Sequence, residues 1–194
     1  MQPKLTVKTV LDGSVKATKN FKSLSRLAVY VGIPEKNASR KGGKANNAQI
    51  LFFNTNGVRT SDVRRRVGAA MNRGLSYDAA TALYLRSAGS IAYAIPPRPV
   101  IEPAIELPDN KAAIVVELKG AASNQLSGND AEAITGMKRA GTEATNRVKA
   151  FFYDPRNNWP PNSPATIKRK GSSRPLISSG KMRDAIIWVL ANKS

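Results

Sequence analysis

Pro108-Asp109, followed by Glu117-Leu118-Lys119, is the constellation that most invites a catalytic reading. It fits the loose pattern P-D … [DE]-x-K, in which two carboxylates hold a divalent cation and a lysine assists an attacking water, the chemistry of a metal-dependent nuclease. The run 112–118 (AAIVVEL) could supply the strand such a site needs. Against it, the spacing is short and Lys111 puts a cation beside the would-be metal. A helix with Asp109 as its N-cap, and with Glu117 and Lys119 in solvent, explains the same letters and is the reading adopted. The chain has no histidine and no cysteine, which removes thiol catalysis, disulfides and the usual zinc sites. Acid–base chemistry near neutral pH would need strongly shifted carboxylates or lysines, and no pair of such groups stands out. The expectation is a protein that is not an enzyme and takes no cofactor or metal.

Cationic residues offer the other chemistry. Arg59, Arg64, Arg65, Arg66 and Arg73 form one cluster, and Lys168, Arg169, Lys170 and Arg174 another. Each could contact phosphates in a salt-sensitive, sequence-blind way, or simply sit in water. The second cluster lies in a proline-rich stretch and has a third use, pairing with carboxylates on an adjacent subunit. Trp159 either anchors this stretch on a partner or folds back on Phe151 and Phe152. Arg98, between Pro96-Pro97 and Pro99, is either an exposed loop charge or half of an ion pair at a subunit contact.

The elements that must position these residues follow from periodicity and punctuation. Leu5, Val7 and Val10 nearly alternate with polar residues before Asp12-Gly13, which predicts a first strand, with a short helix after it. The run 27–33, rich in β-branched and aromatic residues and stopped by Pro34, predicts a central strand paired with the apolar run 185–190. Residues 35–47 are mostly Lys, Arg, Gly, Ser and Asn and read as a basic flexible loop. The apolar stretch 48–53 fits a helix turn or a strand equally. Within 58–94, Thr60 or Ser61 and then Ser76 can cap two helices broken near Gly74, an inserted helical hairpin.

The strongest periodicity lies in 129–153, where Ala133, Met137, Ala140, Ala144, Val148 and Phe151 recur every three or four residues behind Asp130 and Glu132. This amphipathic helix should lay its stripe across the sheet. Prolines at 160, 161, 164 and 175 remove amide donors, so 154–177 is expected to be an extended, proline-rich basic arm. Trp188, inside the apolar run, reads as core. The fold class that results is α+β: a small, mostly antiparallel sheet with a long amphipathic helix packed on one face, an inserted helical hairpin and extended arms, all in a single domain over 1–194.

Charge and length bound the partners. The 194 residues carry 31 Lys and Arg against 13 Asp and Glu, a formal charge of +18. Attraction of that size favours an acidic or polyanionic neighbour. Ten basic and two acidic residues fall before position 45, a surplus of eight in the N-terminal stretch. No apolar run approaches the roughly 18 residues that span a bilayer, and MQPKLTVKTV lacks the apolar core of a signal peptide, so a cytoplasmically made soluble protein with no membrane partner is expected.

Three stretches carry a resemblance. Pro175-Leu176-Ile177-Ser178-Ser179-Gly180-Lys181-Met182-Arg183-Asp184-Ala185-Ile186 resembles the P-L-hydrophobic-x-[ST]-G-x-[LM]-x-x-[SA]-I ending of small tail-completion, or neck, proteins of tailed bacteriophages. Ser163-Pro164-Ala165-Thr166 and the basic run after it fit the same family. Ile95-Pro96-Pro97-Arg98-Pro99-Val100-Ile101-Glu102-Pro103-Ala104-Ile105 is similar to the family's I-P-[AP]-R-P-F-hydrophobic-x-P-A segment, with Val100 where an aromatic is usual. Val29-Tyr30-Val31-Gly32-Ile33-Pro34, followed by Asn46-Asn47-Ala48-Gln49-Ile50, resembles its first strand and the alanine-rich segment behind it. Phe53-Asn54-Thr55-Asn56-Gly57 stands in place of the acidic E-F-G-T.

The resemblance implies a non-enzymatic virion component at the head-to-tail junction. It would be a homo-oligomeric ring, six-fold in the family, touching connector and tail proteins, with DNA passing through its lumen. On that view Pro96, Pro97, Arg98, Pro99, Trp159, Pro160, Pro161, Lys168, Arg169, Lys170 and Arg174 form the subunit interface, the arm crossing to the next copy as a strap. The competing function is a free-standing basic nucleic-acid-binding protein, with the nuclease built on Asp109, Glu117 and Lys119 a more distant third.

Overall fold

A computed structural model describes residues 13–40, 45–59, 61–76, 79–80 and 93–193. The chain is α+β, and its residues group into two compact units. The first comprises Met1–Val31, Leu107–Asn146 and Trp188–Ser194, the second Gly32–Glu106 and Arg147–Ile187. Each unit is assembled from separated stretches of sequence, so no linker or shift in composition marks the division.

In the first unit, α1 (Gly13–Ser25) leads into β1 (Leu27–Gly32), which pairs with β4 (Ile187–Asn192), as expected from the two apolar runs. The Lys193 N–H donates to the Arg26 carbonyl at 2.7 Å, so the end of β4 lies beside the start of β1 and the two run antiparallel. The strand expected at residues 5–10 lies outside the described residues.

Two long helices cover this sheet. The helix α6 (Pro108–Leu126) has Pro108 in its first turn and Leu107 as N-cap, so Asp109 is a first-turn residue rather than the cap expected. It ends where the Gly128 N–H, at φ 84°, donates to the Gln125 carbonyl. Next comes α7 (Asp130–Phe151), with Asp130 and Glu132 in its first turn, where a helix dipole favours carboxylates. Its expected stripe is buried throughout: Ala133, Met137, Ala140, Ala144, Val148 and Phe151.

Glycines set the spacing in this unit. A Cβ on Gly136 would lie 2.8 Å from the Ala121 Cβ, and one on Gly141 would lie 2.6 Å from the Trp188 indole. Hence α7 approaches α6 almost backbone to backbone while Trp188 of β4 lies flat over Gly141. Leu24, Ala121, Ala133 and Met137 make a small core packed by Leu27, Val29 and Leu190. Gln125, itself buried, donates to Ser23 Oγ at 3.3 Å and Asp130 Oδ1 at 2.8 Å, tying α1 to the α6–α7 junction.

In the second unit, α2 (Glu35–Ala38) interrupts the loop expected over 35–47, since four residues after Pro34 close one helical turn; 41–44 lie outside the described residues. The ambiguous stretch 48–53 is helical, in α3 (Asn47–Asn56). A reciprocal cap starts it: Gln49 N–H donates to Asn46 Oδ1 at 2.8 Å and Asn46 N–H to Gln49 Oε1 at 2.9 Å. Gly57 at φ 72° ends the helix, and β2 (Val58–Arg59) pairs antiparallel with β3 (Tyr93–Ile95), Val58 facing Ile95.

The first arm of the expected hairpin is present as α4 (Ser61–Met71), burying Val67 and Ala70 and ending before Gly74 at φ 92°. Ser76 Oγ accepts from the Ala79 N–H at 3.3 Å, as a cap would, but most of the second arm lies outside the described residues. Three short helices complete the unit: α5 (Ile101–Glu106), α8 (Pro164–Lys170) and α9 (Lys181–Asp184), the last packed on α3.

The arm at 154–177 is not extended. It contains a 3-10 turn, Pro155–Asn157, capped by Asp154, and then α8, capped by Ser163 and closed by Gly171 at φ 68°. Proline bars the interior of a helix but suits its first turn, where the missing N–H has no partner to lose, and both Pro155 and Pro164 sit there.

Candidate functional site

The residues singled out around Arg98 and in the arm come together in the second unit. Arg98 is only 6% exposed. Its Nε and Nη2 donate to the Pro160 carbonyl at 2.9 and 2.8 Å, and Nη2 also to the Pro161 carbonyl at 3.0 Å. Its own N–H donates to the Asn54 carbonyl of α3 at 2.6 Å. Arg98 is not the exposed loop charge the sequence allowed, and within the chain it acts as a clamp holding Pro160-Pro161 against α3. Prolines lack an N–H and their carbonyls stay free to accept, which is why a planar guanidinium with a fixed fork of donors suits this position. Burial pushes the Arg98 guanidinium below its ordinary value.

Trp159 takes the fold-back reading. Its ring meets Phe151 and Phe152 edge-on, each at 5.7 Å between centroids, and its Nε1 donates to the Pro99 carbonyl at 2.9 Å. Both phenylalanines are buried. Two side chains, Arg98 and Trp159, thus stitch 96–99 to 159–161 from opposite directions. Residues 155–175 pack within their own unit instead of extending free of it, and Pro160 and Pro161, which suggested reach, present their carbonyls to Arg98.

The basic residues of the arm follow. Lys168, Arg169 and Lys170 form the last turn of α8, where cations complement the helix dipole. Lys168 and Arg169 are exposed. Lys170 donates to the Arg174 carbonyl, and its ammonium is pushed below its ordinary value by burial and by the charge of Arg98. Arg174 and Arg183 stack on Tyr153 with their guanidinium carbons 5.1 and 5.5 Å from the ring centre, and Arg183 also donates to the Tyr153 hydroxyl at 2.6 Å. Asn162 Nδ2 donates to the Ser173 carbonyl at 2.9 Å, closing the α8 loop.

These contacts wall a cleft of about 670 Å³. One side is Ile50 and Asn54 of α3 with Arg40 near them, another is Ile95, Pro96 and Arg98, and a third is the 161–170 stretch including Arg169 and Lys170. Leu176 to Met182 close it, with Leu176 in the left-handed region at φ 58°. Five lining residues are cationic and none is acidic. The sequence named Arg98, Arg169 and Lys170 but missed Arg40 and Lys181; they are distant in sequence and only the fold makes them neighbours.

The alternative catalytic set is not brought together. The required strand at 112–118 is part of α6, so Asp109 and Glu117 stand eight residues apart on one helix, about 12 Å along its axis. Glu117 is bound to Arg139 Nε of α7 at 2.8 Å. Among the described residues no group of three or more carboxylates, histidines or cysteines could hold a metal ion. Arg64, Arg65 and Arg66 lie exposed on α4. No helix among the described residues is long and apolar enough to cross a membrane.

Comparison with known protein families, with curated proteins and with solved structures finds no match for this chain.

Proposed function

We propose that this protein is a structural, non-enzymatic component of the head-to-tail junction of a tailed bacteriophage, acting as a homo-oligomeric ring that joins tail to connector or finishes the tail end. The observation that supports this reading is convergence. Of the stretches that resemble neck proteins, 46–50, 95–105, 163–166 and 175–186 contribute to the second unit, where Ile50, Ile95, Arg98, Thr166 and Met182 line one cleft, while 29–34 divides between the two units.

A ring needs a heterologous contact in which one face of a subunit meets a different face of the next. With the arm bound into its own unit, that contact falls to exposed apolar surface. Phe52, at 63% exposed, and Phe53, at 45%, lie side by side at 6.0 Å on the outside of α3 and supply it. The charge of +18 suits a lumen through which DNA passes. Negative-stain imaging of the purified protein, with virions labelled at the neck, tests the proposal. Closed rings and label at the head-to-tail junction support it, whereas a monomer with label elsewhere overturns it.

The exposed Arg64-Arg65-Arg66 run favours a second reading, a free-standing nucleic-acid-binding protein. Retention on DNA that survives moderate salt would favour that reading, since a structural ring should release DNA early as salt rises.

A further inference from the structure

The cleft of the second unit has a chemistry of its own that the ring proposal does not use. Arg40, Arg98, Arg169, Lys170 and Lys181 line it with no Asp or Glu among the lining residues. Arg98 is buried and, among the described residues, is met by carbonyl dipoles and by no counter-ion. A charge taken out of water without an opposite charge is unfavourable by several kcal/mol, so such a cluster is matched to an anion. Between these cations the lining mixes aliphatic side chains, Ile50, Ile95, Leu176, Ile177 and Met182, with uncharged polar ones such as Asn54, Thr166 and Ser178. None of the lining residues is Phe, Tyr or Trp, so the cleft offers no ring for stacking a base, the usual device for single-stranded nucleic acid. Its volume, about 670 Å³, is that of a ligand pocket, not of a channel that tracks a long backbone.

We infer that this cleft binds a short peptide segment of a partner protein in which acidic and aliphatic residues alternate, its carboxylates meeting the cations and its aliphatic side chains meeting Ile50, Ile95 and Met182. Arg98 and Lys170 are the inner charges. Arg40, Arg169 and Lys181 are exposed and form the rim, where they draw the peptide in and select against neutral sequences. Bound carboxylate would also raise the Lys170 ammonium, now lowered by burial and by Arg98.

The experiment uses the full chain and a fluorescein-labelled, end-blocked peptide Asp-Leu-Glu-Leu-Asp, read by anisotropy. Its Asn/Gln counterpart and a labelled oligothymidylate serve as comparison probes. The acidic peptide should bind saturably and the neutral one should not. Arg169→Glu with Lys181→Glu should weaken binding at least about tenfold. Lys19→Glu with Lys22→Glu, exposed on α1, changes net charge equally and should leave affinity within about twofold. Should the double Glu variant lose helical signal, Arg169→Gln with Lys181→Gln replaces it, with an expected loss of about threefold. Equal weakening by both charge reversals, equal binding of the neutral peptide, or no saturable binding overturns the inference. Oligothymidylate binding that is lost in the same cleft variants would also overturn it, assigning the cleft to nucleic acid instead. None of these outcomes depends on whether rings form.

Discussion

Removing the Arg98 clamp should free the arm without unfolding the protein. Arg98→Met keeps the length and most of the volume of the side chain and deletes its three side-chain hydrogen bonds, at 2.8 to 3.0 Å, to the carbonyls of Pro160 and Pro161. Each bond from a charged donor contributes about 1.5 kcal/mol at the low end of its range, which applies here because Pro160 and Pro161 are exposed and water can replace the donor. The gross loss is then about 4.5 kcal/mol. Part is returned, since no guanidinium has to be held out of water, leaving roughly 2 kcal/mol. That is about a thirtyfold increase in the open population of 159–175. Arg98→Lys should lose nearly as much, because an ammonium cannot span two carbonyls in one plane. The assay is limited trypsin digestion read by intact mass: cleavage after Lys168, Arg169 and Lys170 tracks the open fraction while reclosing outpaces cutting. Cleavage of Arg98→Met at the wild-type rate, with an unchanged thermal midpoint, would refute the clamp.

Four further outcomes follow from particular contacts. Gly136→Ala should destabilise by about 1–3 kcal/mol in urea titration, although alanine is the better helix former by about 1 kcal/mol, because the added methyl would sit 2.8 Å from the Ala121 Cβ. Thr145→Val should stabilise by about 1 kcal/mol in the same assay, since Thr145 is buried and its Oγ1 has no hydrogen-bond partner among the described residues. Asp154 is held below the usual carboxylate value, first by the Arg156 side chain and then by the Arg156 N–H. A lowered folded value means that its contribution is full at neutral pH and fades only as pH falls below about 3.9, so Asp154→Asn should flatten the acid side of a stability–pH curve and leave pH 6–8 unshaped. Magnesium-dependent DNA cleavage is expected to be absent, and cleavage that disappears in Asp109→Ala would restore the nuclease reading.

The parts of the fold legible in the sequence are those where one stretch carries its own signal. The stripe from Ala133 to Phe151 needs only helical periodicity, and the β1–β4 pair is read from two apolar, β-branched runs closed by Pro34 and by the polar tail after Leu190. The run 112–118 misleads because Ile114, Val115 and Val116 favour strands locally, but Pro108 at the start and Gly128 beyond the end frame it as a helix. The arm misleads because four prolines read as stiffness, whereas the carbonyls of two of them, Pro160 and Pro161, are filled by Arg98, 62 and 63 residues away. The cleft was only partly legible for the same reason: Arg40, Arg98, Arg169 and Lys181 carry no shared pattern, and α3, the 95–98 elbow and the Leu176 turn must fold before they face one another.

The fold-back of the arm separates this account from a strap that crosses between copies, and the chain, having no cysteine, allows a clean test. Pro99→Cys with Pro161→Cys places one thiol on the 96–99 elbow and the other on the arm, both exposed and flanking the contact in which Arg98 meets the Pro161 carbonyl at 3.0 Å. Treatment with a short bis-maleimide and separation on a denaturing gel should give a single band of monomer mass with both thiols consumed. A ladder of covalently linked chains would show that the arm is donated to a neighbour and contradict the account.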